Sequence, residues 1–106
     1  MPILPLQPQA LRARLEHGDP LTLVDVREEW ERELARLEPS LFIPLGELPA
    51  RLAELPRDRL LVFVCHHGVR SYRACLVAQA SGYPVANLEG GIDAWSQAVD
   101  PGVARY

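Results

Sequence analysis

Short apolar runs alternate along the chain with stretches whose apolar residues recur at helical spacing. Residues 8–20, PQALRARLEHGDP, put Ala10, Leu11 and Leu15 at helical spacing, with Gly18 and then Pro20 as stop signals. LTLVDV (21–26) runs apolar to Asp25, as a buried strand does. REEWERELARL (27–37) returns to helical composition, and Pro39 must end that helix. LFIPL (41–45) is a brief β-like run, and GELPARLAEL (46–55) is a helix candidate with Pro49 in its first turn, where a missing N–H costs nothing. RLLVFVC (59–65) carries the strongest strand signal, being β-branched, aromatic and continuous. SYRACLVAQASGYP (71–84) carries the strongest helix signal, closed by Gly82 at C′ and Pro84 after it. VANL (85–88) predicts another strand and GGIDAWSQAV (90–99) a last helix.

Strands and helices that alternate in so short a chain predict the α/β class: a small parallel sheet with helices on both faces. The 106 residues have room for one domain, 1–106. Parallel sheets bind ligands at the carboxyl ends of their strands. That directs attention to Asp25 and Arg27, to Cys65 through Ser71, and to Glu89 through Gly91.

Composition narrows the chemistry. With 48% hydrophobic and 24% charged residues the chain is an ordinary globular one, and a net charge of -3 leaves no footprint for nucleic acid or an anionic membrane. All basic residues are arginine, which removes Schiff-base chemistry and a phosphate loop ending in Gly-Lys-Ser/Thr. Cys65 and Cys75, ten positions apart, form no disulfide framework, and reduced thiols point to the cytoplasm. The opening MPILPLQPQA has neither a basic n-region nor a long apolar h-region, and no stretch is long enough to span a bilayer.

CHHGVRS (65–71) is where candidate chemistry concentrates. Cys65 directly follows the predicted central strand, and the next helix is expected to begin near Arg70 or Ser71. A helix N-terminus presents free N–H groups and a partial positive charge, which favour the thiolate form of a thiol beside it. Gly68 lets the backbone curl into an N–H nest, and Arg70 adds a permanent charge with forked donors. An inert buried cysteine would need neither residue behind it. His66 and His67 are assigned to the rim, because adjacent side chains seldom face one ion and no spaced Cys/His set completes a tetrahedron; no metal or other cofactor is expected.

LVDVREEWE, FIPLGEL, VFVCHHGVRS and ANLEGGIDAW occur in an order and spacing that resembles the single-domain rhodanese-like sulfurtransferases, over nearly the whole chain. The resemblance implies a persulfide carried on Cys65 and a backbone cradle from His66, His67, Gly68, Val69, Arg70 and Ser71. It also implies that Arg70 assists an anionic donor such as thiosulfate, and that Asp25 and Arg27 form a scaffold pair below the loop. Phosphatases of the related cell-cycle type place five residues between cysteine and arginine, whereas this chain has four, which suits a sulfur atom better than a phosphate. A phosphatase or arsenate reductase on the same fold, and a non-catalytic binding module, are the alternatives. Sulfane sulfur would pass from the donor to Cys65 and then to a thiol, cyanide or a protein acceptor.

The remaining candidates have simpler expectations. Cys75 and Trp95 are read as core, and Gly90 and Gly91 as permitting close backbone approach. Trp30, in an acidic and polar helix, is read as a hydrophobic anchor or a partner contact. Residues 35–44 depart from the family's pattern, having lost its glycines, histidine and asparagine. The end, IDAWSQAVDPGVARY, resembles rhodanese domains fused to adenylyltransferases, which points to a sulfur-donor or sulfur-carrier protein as partner.

Overall fold

All strand pairings among the described residues are parallel, so each strand needs a crossover before the next, and the chain provides one every time. The computed structural model describes residues 2–106. Its elements are β1 (Leu4–Leu6), α1 (Pro8–His17), β2 (Leu21–Asp25), α2 (Glu29–Leu34), β3 (Leu41–Phe42), α3 (Leu48–Arg51), β4 (Leu60–Val64), α4 (Val69–Ala80), β5 (Val85–Leu88) and α5 (Gly91–Ala98). The sheet order β1-β5-β4-β2-β3 puts β4 at the centre, as its continuous apolar run predicts.

Side-chain alternation along the strands divides the core in two. On one face Val24, Leu61, Phe63 and Val85 pack with Ala74, Cys75 and Ala78 of α4 and with Leu48 and Leu55. On the other face Leu23, Val62, Val64, Ala86 and Leu88 meet Leu11 of α1 and Ile92 and Trp95 of α5. The α/β expectation with helices on both faces holds. Each fully buried Leu, Ile or Phe in these layers stabilises by about 1.5–3 kcal/mol, so the centre of the sheet is its firmest part.

Four local readings need correction. β1 was not anticipated: Leu-Pro-Leu is too short and too broken for a pattern, and it is tolerated because an edge strand spares Pro5 one ladder bond. The predicted 46–55 helix is three pieces, α3 between 3-10 turns at 45–47 and 52–54: α3 starts only at Leu48, which keeps Pro49 in a first turn, and the short flanking segments take the tighter 3-10 form. α2 stops at Leu34, well before Pro39, and Ala35 turns extended so that Ala35 and Leu37 reach the core. α4 begins at Val69, slightly earlier than expected, while its end matches, with Gly82 at φ 88° just past it.

Candidate active site

The carboxyl ends of β4, β2 and β5 bring together residues far apart in sequence. Cys65 leaves β4 and is 1% exposed. Its Sγ accepts the Gly68 N–H at 3.0 Å and lies 3.2 Å from the Ser71 hydroxyl. Gly68 takes φ 101° as the N-cap of α4, a left-handed turn that a side chain would resist. The first N–H groups of α4 have no acceptor within the helix, so the sulfur sits at a donor-rich end of the backbone.

The shape of the loop is imposed from α5. Ile92 N–H donates to the Cys65 carbonyl at 2.9 Å, and Asp93 N–H to the His66 carbonyl at 3.1 Å. These bonds hold the Cys65 and His66 carbonyls toward α5, while the Gly68 N–H faces the sulfur. Gly91 sits where the two chains cross: at φ 62° an added Cβ would collide with the Cys65 and His66 carbonyls. Close backbone approach, expected of Gly90 and Gly91, is seen at Gly91, whereas at Gly90 an added Cβ would meet the Ala94 side chain.

Ser71 is fully buried and donates its proton to Asn87 Oδ1. Toward Cys65 its oxygen is therefore an acceptor for the thiol S–H; by rotating, the hydroxyl can instead donate to a thiolate. Asn87 is oriented in turn, because its Nδ2 donates to the Gly68 carbonyl at 3.1 Å and to Glu89 Oε2 at 3.3 Å. Asn87 escaped the sequence reading, although a polar residue inside the buried strand VANL was a usable signal.

Arg70 is not a free cation. Its two terminal nitrogens donate to both Glu31 carboxylate oxygens, at 2.6 and 2.8 Å. Glu31 also accepts the Glu28 N–H at 3.0 Å and the Tyr106 hydroxyl at 2.7 Å. Burial alone would raise this carboxyl, but the bonds from Arg70, the Glu28 amide and Tyr106 bring it down to about 2. The same pairing raises Arg70 above the ordinary guanidinium value. Neither Glu31 nor Tyr106 was singled out in the sequence: Glu31 looks like one acid among several in α2, and Tyr106 comes from the far end of the chain.

Asp25 and Arg27 form a fully buried bidentate pair at 2.9 and 2.8 Å. Arg27 also donates to the Ala35 carbonyl at 2.6 Å and to the Tyr106 oxygen at 2.8 Å. The pair thus ties the 35–44 connection and the chain's end to β2, and reaches Arg70 through Tyr106 and Glu31. Ser40 secures that connection further by donating to the Leu37 carbonyl at 2.8 Å.

His66 stacks between His67 and Tyr106, with centroid distances of 3.9 Å to each. Burial, then the neighbouring His67, lowers the His66 pKa. Asp93 brings a carboxylate near both histidines, but it already accepts Arg105 at 2.9 Å and Gln97 at 3.0 Å. Trp30 is 59% exposed and meets Tyr106 edge-on, while Trp95 is core. Cys75 is buried, its thiol donates to the Ala86 carbonyl at 3.3 Å, and burial pushes it up to about 12. Beside the loop lies a cleft of about 400 Å³ walled by His67, Val69, Tyr72, Arg73 and Glu89.

The sequence and the fold have counterparts in known proteins. The rhodanese-like domain family model matches residues 7–98. A protein named "Sulfurtransferase" from Allochromatium vinosum is 38% identical over 90 residues, covering 84% of each chain. "Probable adenylyltransferase/sulfurtransferase MoeZ" of Mycobacterium tuberculosis is 35% identical over 104 residues, covering 95% of this chain and 26% of MoeZ. The crystal structure of a rhodanese-related protein from Thermoplasma volcanium superposes with a TM-score of 0.86 at 28% identity, over 97% of this chain and 99% of that one. Parallel sheet and matched sequence agree: the chain belongs to the rhodanese-like domain family.

Proposed function

We propose that this protein is a sulfurtransferase in which Cys65 carries sulfane sulfur as a persulfide, taking it from thiosulfate or a persulfide donor and passing it to a thiol, cyanide or a protein acceptor. The carrying observation is the environment of Cys65 Sγ, buried at the start of α4 against the Gly68 N–H and the Ser71 hydroxyl. A thiolate there attacks the outer sulfur of the donor; one S–S bond forms as the donor's breaks, and the donor leaves as sulfite or a thiol. The extra sulfur then lies among the same amide donors, so one cradle serves both half-reactions. Gly68, Val69 and the neighbouring loop residues supply that cradle, and Asp25 with Arg27 supports it from below.

The relatives' names favour this reading, and MoeZ joins the words adenylyltransferase and sulfurtransferase. A sulfur-donor or sulfur-carrier protein is accordingly proposed as partner, acting on the chain as one rhodanese-like domain. No helix among the described residues is long and apolar enough to cross a membrane, and a reduced, cytoplasmic setting is proposed because the loop needs a free thiol.

The test is intact mass after exposure of reduced protein to excess thiosulfate or cysteine persulfide. A gain of about 32 Da that cyanide removes and that Cys65→Ser lacks is the expected result. No adduct with either donor, together with turnover of an aryl phosphate, would replace sulfur transfer with phosphoester hydrolysis.

A further inference from the structure

The mouth of the cysteine loop has less positive charge to offer than its arginines suggest. Both Arg70 terminal nitrogens are engaged by Glu31, whose side chain is 4% exposed. Glu31 is itself surrounded by donors: Arg70 twice, the Tyr106 hydroxyl and the Glu28 amide. Turning Arg70 toward an incoming anion would strand a buried carboxylate, which proteins avoid because an unpaired buried charge is costly. The neighbouring cleft is lined by one charge of each sign, Arg73 and Glu89. Asp93 is held by Arg105, and burial, then the neighbouring His67, disfavours the charged form of His66.

The same cleft offers carbon surface instead. Val69 and Tyr72, at its wall beside the loop, are 65% and 48% exposed. Thiosulfate has no carbon to place against them, whereas the organic group of a thiol persulfide does.

We infer that Glu31 is a specificity-determining residue: by holding Arg70 it leaves the cysteine loop without a spare positive charge, so the site takes a thiol persulfide in preference to dianionic thiosulfate. The inference rests on the sulfur-transfer reading and narrows its donor. The Cys65 thiolate attacks the outer sulfur of R–S–SH, the new S–S bond forms as the donor's breaks, and the thiol R–SH departs with the proton, leaving Cys65–S–S⁻. No outside oxidant or reductant is needed. The persulfide chemistry is common to small thiols and to protein cysteines, and the test separates those sources.

The experiment measures second-order rates of Cys65 persulfidation by intact mass, using thiosulfate, cysteine persulfide and persulfidated serum albumin. In the wild-type protein a persulfide is expected to outpace thiosulfate by roughly a hundredfold, and a faster reaction with albumin than with cysteine persulfide assigns the source to protein. Glu31→Gln frees Arg70 and should cut the persulfide-to-thiosulfate ratio by about tenfold. The double variant E31Q/R70Q, with neither charge, should return the ratio toward that of wild type.

Wild-type protein alone gives a second readout, independent of whether a variant folds. Its rate with thiosulfate should be flat or rise as salt goes from about 20 to about 200 mM, because the Arg70 charge that salt would otherwise screen is already neutralised by Glu31. A folded E31Q with an unchanged ratio, a thiosulfate rate that falls steeply with salt, or equal wild-type rates for the two donor types would overturn the inference and leave sulfur transfer standing. Absence of any adduct from all donors would remove sulfur transfer itself.

Discussion

Cys65 and Cys75 lie at the start and in the middle of one stretch of chain, ten positions apart, and both are buried in the same apolar layer. Their surroundings are opposite in polarity. Cys65 faces a backbone donor, the Gly68 N–H, whereas Cys75 faces a backbone acceptor, the Ala86 carbonyl. A donor stabilises a sulfur anion and an acceptor stabilises the S–H, so burial alone does not decide which thiol is chemically useful. The decisive variable is which end of the peptide dipoles the sulfur meets, and that follows from Cys65 preceding the helix and Cys75 lying inside it.

Breaking the difference outright should have the largest effect. Cys65→Ser is expected to abolish the sulfur adduct and turnover, while Cys75→Ala keeps the rate within about threefold and costs on the order of 1 kcal/mol of stability. Turnover and adduct mass on both variants settle it; loss of the adduct in Cys75→Ala with the fold intact would contradict the division of roles.

Next in size is the support under the loop. Gly91→Ala forces a side chain against the Cys65 and His66 carbonyls at a left-handed position, and should cost on the order of 3 kcal/mol, a fall in Tm of at least about 10 °C. Turnover should drop by about a hundredfold or more even at low temperature where the variant remains folded, since the amide cradle has moved. Calorimetry with parallel rate measurements checks both halves.

Ser71→Ala should cost about tenfold in turnover, because the sulfur loses one adjustable partner while the Gly68 amide remains. Asn87 Oδ1 is then left without its buried donor, so a decrease in Tm of a few degrees should accompany the slower rate. An unchanged rate would show that Ser71 serves packing only.

The smallest effects are in pH. Cys75 is raised from 9.0 to about 12, so its contribution is fully present below pH 9 and is lost as pH climbs through about 12. It should resist alkylation at pH 8 in the folded protein and react once the chain is unfolded. Glu31 is lowered from 4.5 to about 2, so its contribution is present above pH 4.5 and disappears as pH falls through about 2. Denaturant midpoints across those two windows test the signs; a Glu31→Gln protein should show a shallower acid-side slope, the rest coming from carboxyls such as Asp93 and Glu54 that are lowered too.

Much of the architecture was legible because it rests on local patterns. The run Leu60–Val64 could only be a buried strand, and α4 carried its own stop at Gly82. Cys65, Gly68 and Ser71 were legible too, since a strand-turn-helix connection fixes where they lie. Arg70 was found but its partner was not: the expected donor-binding cation is engaged by Glu31, on a different helix. Tyr106 gave no local sign, because what defines it are contacts with Arg27, Glu31 and His66, all more than thirty positions away. Pairings of that range are products of topology and leave no periodicity to read. β1 was missed for a different reason: three residues at a sheet edge are too few to show a pattern.

The two bonds from the start of α5 to the Cys65 and His66 carbonyls separate the cradle's form from the letters that spell it. Because backbone groups and two glycines, Gly68 and Gly91, specify the curve, the side chains at positions 66, 67 and 69 are at liberty to vary without unmaking it. A designer could therefore treat those three positions as an interchangeable label on a fixed socket, altering which donor is welcomed while the sulfur's seat stays as it is.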